Sequence, residues 1–78
     1  MRTYVVWSHG RIVGTVKAPS DQEACRLVVT MWGSQTTIQR AESAPLRDLY
    51  QAYAMDEIAL FDGSRAEIMY RIRKEAQP

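Results

Sequence analysis

One cysteine and one histidine stand among the 78 residues, and these two scarcities remove several chemistries at once. Cys25 has no second cysteine with which to close an internal disulfide, and neither it nor His9 has neighbours at the spacing a zinc site needs. His9 sits in Ser8-His9-Gly10 without a sequence neighbour able to act as its catalytic partner, and it reads as a turn residue tolerating positive φ. No Gly-rich phosphate loop and no nucleophile motif occurs, so no cofactor is expected. The pairs Asp56/Glu57 and Glu42/Asp48 read as solvated carboxylates, because a domain this small rarely offers the deep pocket that raises a carboxyl pKa. These absences argue against an enzyme.

Charge of one sign is also lacking. Ten basic and nine acidic residues leave a net charge of +1, without the basic excess that phosphate neutralisation demands or the acidity of a DNA mimic. No apolar run approaches the length of a signal peptide or a membrane span, so neither a leader nor a membrane partner is expected. With a lone cysteine, this points to a reducing, cytoplasmic setting.

What is present is an ordinary folding composition, 46% hydrophobic and 24% charged. The length suits one α+β domain spanning 1–78, too short for two cores, with a single sheet and a helix on it. Tyr4-Val5-Val6-Trp7 and Ile12-Val13-Gly14-Thr15-Val16 are rich in β-branched and aromatic residues around the turn signal Ser8-His9-Gly10-Arg11. A two-residue His9-Gly10 loop pairs Trp7 with Ile12, Val5 with Gly14 and Thr3 with Val16, and this face is the expected floor for the helix. The opposite face, carrying Tyr4, Val6, Val13 and Thr15, is unusually apolar for one that meets water. It calls for later strands, a second copy or a partner protein to cover it.

After the break at Ala18-Pro19 the period changes from 2 to 3.6. Ser20 and Glu23 have the spacing of a capping box, and Asp21 and Glu23 favour the positive end of the helix dipole. Ala24, Leu27, Val28 and Met31 recur at i, i+3, i+4 and i+7, and Gly33 ends the helix. Cys25 reads as a small core or half-buried residue inside it. Ser34 to Ala41 reads as a polar edge strand. Pro45 opens a second helix with Leu46, Leu49, Tyr50 and Tyr53 on one stripe.

The last third reads two ways. As a hairpin, 57–61 and 66–73 flank Asp62-Gly63-Ser64, with Ala66, Ile68, Tyr70 and Ile72 alternating against Glu67, Met69, Arg71 and Arg73. As a helix, Ser64 and Glu67 form a second capping box, and Glu67 and Arg71 form an i,i+4 pair. The alternation favours the hairpin. The expected fold is therefore a small antiparallel sheet in the order β-β-α-β-α-β-β with a helix packed on one face.

Candidate binding residues follow from residue type, since aromatics and arginine are enriched at interface hot spots. Trp7 reads as core, and Trp32 lies between core and rim. Tyr50 and Tyr53 read first as a packed stripe. Arg40, Arg47 and Tyr70 add to this set, as does the basic cluster Arg71 to Lys74, which contains Arg73. Tyr4, Val6 and Val13 enter as the apolar face in need of a cover.

The order hairpin, capped helix, strand, carried by Tyr4 to Val16, Ser20-Asp21-Gln22-Glu23-Ala24, Gly33 and Ile38, resembles the small α+β proteins of phages and mobile elements, type I anti-CRISPR proteins among them. The resemblance implies a stoichiometric inhibitor in the cytoplasm of a bacterial host. It would dock on a CRISPR effector, either the crRNA-bound surveillance complex or its nuclease, and obstruct target DNA. The near-neutral charge departs from the acidic DNA-mimic members, so such an inhibitor works by shape, through exposed aromatic and arginine side chains on a protein partner. The alternative is a small nucleic-acid-associated regulator using Arg71 to Lys74, alone or as a homodimer through the Tyr4/Val6/Val13 face. A structural subunit of a larger assembly is a third reading.

Overall fold

His9 and Gly10 take φ of 53° and 76°, the paired positive values of a type I′ turn, and Ser8 faces Arg11 across it. The computed structural model describes residues 1–55 and 63–77. They form β1 (Arg2–Ser8), β2 (Arg11–Ala18), α1 (Asp21–Trp32), β3 (Thr36–Arg40), a 3-10 turn at Ala41–Ser43, α2 (Leu46–Met55) and α3 (Ser64–Ala76). The sheet order is β2-β1-β3 with both pairs antiparallel, so the polar β3 is an edge strand as its sequence suggests.

The hairpin keeps its expected register only next to the turn. Trp7 pairs with Ile12, but the register then shifts, and Val6 faces Gly14, Val5 faces Thr15 and Tyr4 faces Val16. Val13 is the extra residue of a β-bulge. Because side chains alternate, a one-residue shift exchanges the faces of everything beyond it. Val16 therefore joins Tyr4 and Val6, while Thr15 turns to the side of Val5.

That exchange decides where the helices sit. Helix α1 covers Tyr4, Val6, Val16 and Ala18 through Ala24 and Val28. Helices α2 and α3 cover Val5 and Ile12 on the other face, through Leu49, Ala52, Ile68 and Ile72. The expectation of α1 on the Trp7/Val5 side is thus corrected, and so is that of one core. The central strand is apolar on both faces because both are covered, and the sheet divides the interior in two.

Each helix has a local cause. Ser20 Oγ accepts the Glu23 N–H at 3.2 Å, while the Glu23 carboxylate pairs with Arg26 Nη1 at 3.3 Å. Only Ala24 and Val28 of α1 are buried; Leu27 and Met31 remain 37% and 42% exposed, and Cys25 is exposed rather than half-buried. One helix over three strands seats its Ala24/Val28 ridge centrally and leaves the flanking residues of its apolar face at the rim. Gly33 donates its N–H to Val29 O at 2.9 Å with φ 96° and ψ −179°, a region essentially reserved for glycine. Gly33→Ala is expected to cost about 1–3 kcal/mol, read as a lower urea midpoint, although no atom lies where its Cβ would go.

The strand expected over 66–73 is instead part of α3, and its partner at 57–61 lies outside the described residues. Ile68 and Ile72 are both buried, and Glu67 and Arg71 pair at 3.2 Å. Positions four apart share a face at either period, so the Ile68/Ile72 signal fits strand and helix alike; the i,i+4 charge pair fits only the helix. Ser64 is not the cap. It is the first helical residue, fully buried, and its hydroxyl lies 2.6 Å from Thr15 Oγ1. Gly63, with φ 78°, precedes it.

Candidate partner-docking groove

Helices α2 and α3 lie side by side on the sheet, and the line where they meet carries an open groove of about 540 Å³. Its lining is Tyr53, Gly63, Arg65, Ala66, Met69, Tyr70 and Arg73. Arg65, Met69 and Arg73 recur at i, i+4 and i+8, so they form one stripe along α3. At the near end the Arg65 guanidinium lies 4.0 Å from the centroid of the Tyr53 ring, and Arg65 Nε donates to the Tyr53 carbonyl at 3.2 Å. That bond also satisfies one of the orphan carbonyls at the end of α2. Tyr70, 60% exposed, stands farther along. Beyond it Tyr70, Arg73, Lys74 and Gln77 line a continuation of about 300 Å³.

The candidate residues read from the sequence divide sharply. Tyr53, Tyr70 and Arg73 come together in this groove. Tyr50 is 53% exposed on α2 but does not line it, and Arg47, more exposed still, lies 3.8 Å from the Asp48 carboxylate. Trp32 is half-buried against the α1-side cluster. Tyr4 and Val6 are fully buried beneath α1 and Val13 is half-buried, so the cover this apolar face calls for is supplied by the chain's own helix. Trp7 is half-buried, and its Nε1 donates to Gln39 Oε1 at 3.0 Å.

Arg71 and Arg73 do not form one basic cluster. Two residues apart on a helix they diverge by roughly 200°, and Arg71 turns to Glu67 in a polar cleft with Met1, Arg2, Thr3 and Glu42. Across that cleft Arg2 Nη1 reaches Glu42 Oε1 at 3.5 Å.

Arg40 is engaged on the α1 side. Its Nε and Nη2 donate to the two oxygens of Asp21 at 3.1 and 2.7 Å, and the Tyr4 hydroxyl donates to Asp21 Oδ1 at 2.7 Å. The Arg40 bonds first, then the Tyr4 bond, hold the Asp21 carboxyl down at about 2. Burial, then the hydrogen bond and charge of Asp21, push the Tyr4 hydroxyl up. This triad ties the start of α1 to β1 and β3. A carboxyl depressed in the folded state contributes stability above its ordinary value and loses it as pH falls through the folded one. The stability advantage of the native chain over Asp21→Asn is therefore expected to be full above about pH 4 and to vanish towards pH 2, measured by urea midpoints across that window.

Arg65 and Met69 were not among the sequence candidates. The signal for them was the i,i+4 stripe that appears once 64–76 is read as helix. Among the described residues, no group of three or more His, Cys, Asp or Glu is placed to hold a metal, and no helix is long and apolar enough to cross a membrane. His9 Nδ1 lies 3.1 Å from Ser8 Oγ, a contact within the hairpin turn. Comparison with protein-family models, with curated proteins and with solved structures finds no match to this chain.

Proposed function

We propose that this chain is a non-enzymatic protein-binding module that acts by occupying a partner's surface, with the α2–α3 groove as its docking site. The observation that carries the reading is the gathering of exposed Tyr70 and Arg73 and half-buried Met69 beside the stacked Tyr53–Arg65 pair, residue types enriched at protein interfaces. The pattern-level resemblance to type I anti-CRISPR proteins extends the reading to a partner: a CRISPR effector complex whose access to target DNA the bound module blocks. The separation of Arg71 from Arg73, and the engagement of Arg71 by Glu67, favour this reading over a nucleic-acid regulator built on a basic cluster.

The test is capture by the tagged chain from nuclease-treated lysate of a CRISPR-bearing bacterium, run beside Tyr70→Ala/Arg73→Ala. The expected result is recovery of effector subunits by the native chain, held at moderate salt, and their loss with the double variant. Recovery of nothing once nucleic acid is digested, or equal recovery by the variant, overturns it.

A further inference from the structure

Most arginines of this protein are already matched. Arg2, Arg26, Arg40, Arg47 and Arg71 lie within ion-pair distance of Glu42, Glu23, Asp21, Asp48 and Glu67 respectively. Arg11, exposed beside the hairpin turn, and Arg65 and Arg73 have no carboxylate partner among the described residues; the last two both line the α2–α3 groove, whose described lining contains no acidic residue. Among the described residues this is a local positive site flanking apolar and aromatic walls.

We propose that the groove binds a short acidic segment of the partner protein in extended conformation, with two carboxylates on Arg65 and Arg73 and an apolar or aromatic side chain between them against Tyr53, Met69 and Tyr70. This rests on the protein-binding reading and names the chemistry of the ligand. Arg65 is already held by the Tyr53 ring and carbonyl, which use its guanidinium face and Nε and leave its two Nη nitrogens for a carboxylate. A side chain fixed before binding loses less entropy on binding. The spacing sets the ligand's register. Eight helical residues at about 1.5 Å each place Arg65 and Arg73 about 12 Å apart along α3. An extended peptide rises about 3.3 Å per residue, so the matching carboxylates stand three or four positions apart. Met69 lies midway, which puts the apolar side chain between the acids. A nucleic-acid strand fits less well, since two arginines and Lys74 offer few phosphate contacts and most of the wall is apolar.

The experiment uses the full chain and a fluorescein-labelled peptide, Gly-Asp-Gly-Phe-Gly-Asp-Gly, read by anisotropy, with amide chemical-shift mapping to locate it. Comparators are the same peptide with Asn for Asp and a labelled oligothymidine. The expected result is binding that weakens about tenfold with the Asn peptide and about tenfold with Arg73→Ala, each removing one or more charge-assisted contacts. Shifts should concentrate at Tyr53, Met69 and Tyr70. Arg73 is exposed, so its variant folds; Arg65→Lys keeps charge while removing the planar stack, and should weaken binding as well. Equal binding of the Asn peptide, shifts elsewhere, or tighter binding of oligothymidine overturns the proposal. If the peptide does not bind while Tyr70→Ala/Arg73→Ala still abolishes capture of the protein partner, the acidic-segment assignment fails and the docking groove stands. If the double variant leaves capture intact, the groove itself is wrong.

Discussion

Leu49→Ala should lower the thermal unfolding midpoint by about 10–30 °C, followed by far-ultraviolet circular dichroism. Leu49 is fully buried where α2 meets the sheet, in the cluster with Val5, Ile12, Ala52 and Ile68. Removing three buried carbons and leaving a cavity costs about 2–5 kcal/mol. For a domain of this size each kcal/mol moves the midpoint by about 4–8 °C. The entire stability of such a chain is about 4–12 kcal/mol at the usual 0.05–0.15 kcal/mol per residue, so this one truncation removes a large part of it. Tyr50→Ala, one residue along the same helix but half-exposed, should change stability by about 0.5 kcal/mol or less. Equal effects at 49 and 50 would mean that α2 does not present Leu49 to the sheet.

Val6→Asp separates a covered sheet face from an open one. Val6 is fully buried beneath α1 in an apolar cluster with Tyr4, Val16 and Val28. An unpaired charge there costs several kcal/mol, enough to leave the chain largely unfolded at neutral pH. The readout is loss of amide dispersion in a proton–nitrogen correlation spectrum. Thr37→Asp on exposed β3 is the control and should leave the spectrum folded. Had the Tyr4/Val6 face been open to solvent or to a partner, Val6→Asp would have behaved like Thr37→Asp.

Elements with redundant local signals were legible from the sequence. The His9-Gly10 turn, the Ser20 cap, the Gly33 stop, the polar edge strand and the Pro45 entry each rest on chemistry within a few residues, and each stands in the structure. What failed depended on information the local pattern does not hold. The bulge at Val13 inserts one residue into the count, and strict alternation then assigned Val16 and Thr15 to the wrong faces. The α3 segment carried its buried residues at 68 and 72, a spacing common to both periods, and the regular polar alternation around it outweighed the Glu67/Arg71 pair. The candidate groove was legible in part for the same reason. Tyr53, Tyr70 and Arg73 stood out by residue type, but Arg65 and Met69 join them only through the helical stripe, and Tyr4 and Val6 left the surface once α1 was placed over them.

The middle strand of the sheet precedes both of its neighbours in the chain. As the polypeptide leaves the ribosome, β1 pairs with β2 through a two-residue turn almost at once, while its second edge stays open until β3 has been made. Helix α1 is made between those two events, so the Tyr4/Val6 side closes first and the Val5/Ile12 side waits for α2 and α3. The groove belongs to the last layer laid down, and its walls come from two helices that pack on each other and on β1 and β2. A nascent or truncated chain therefore presents no assembled groove, and under the docking proposal affinity for a partner doubles as a readout of finished folding.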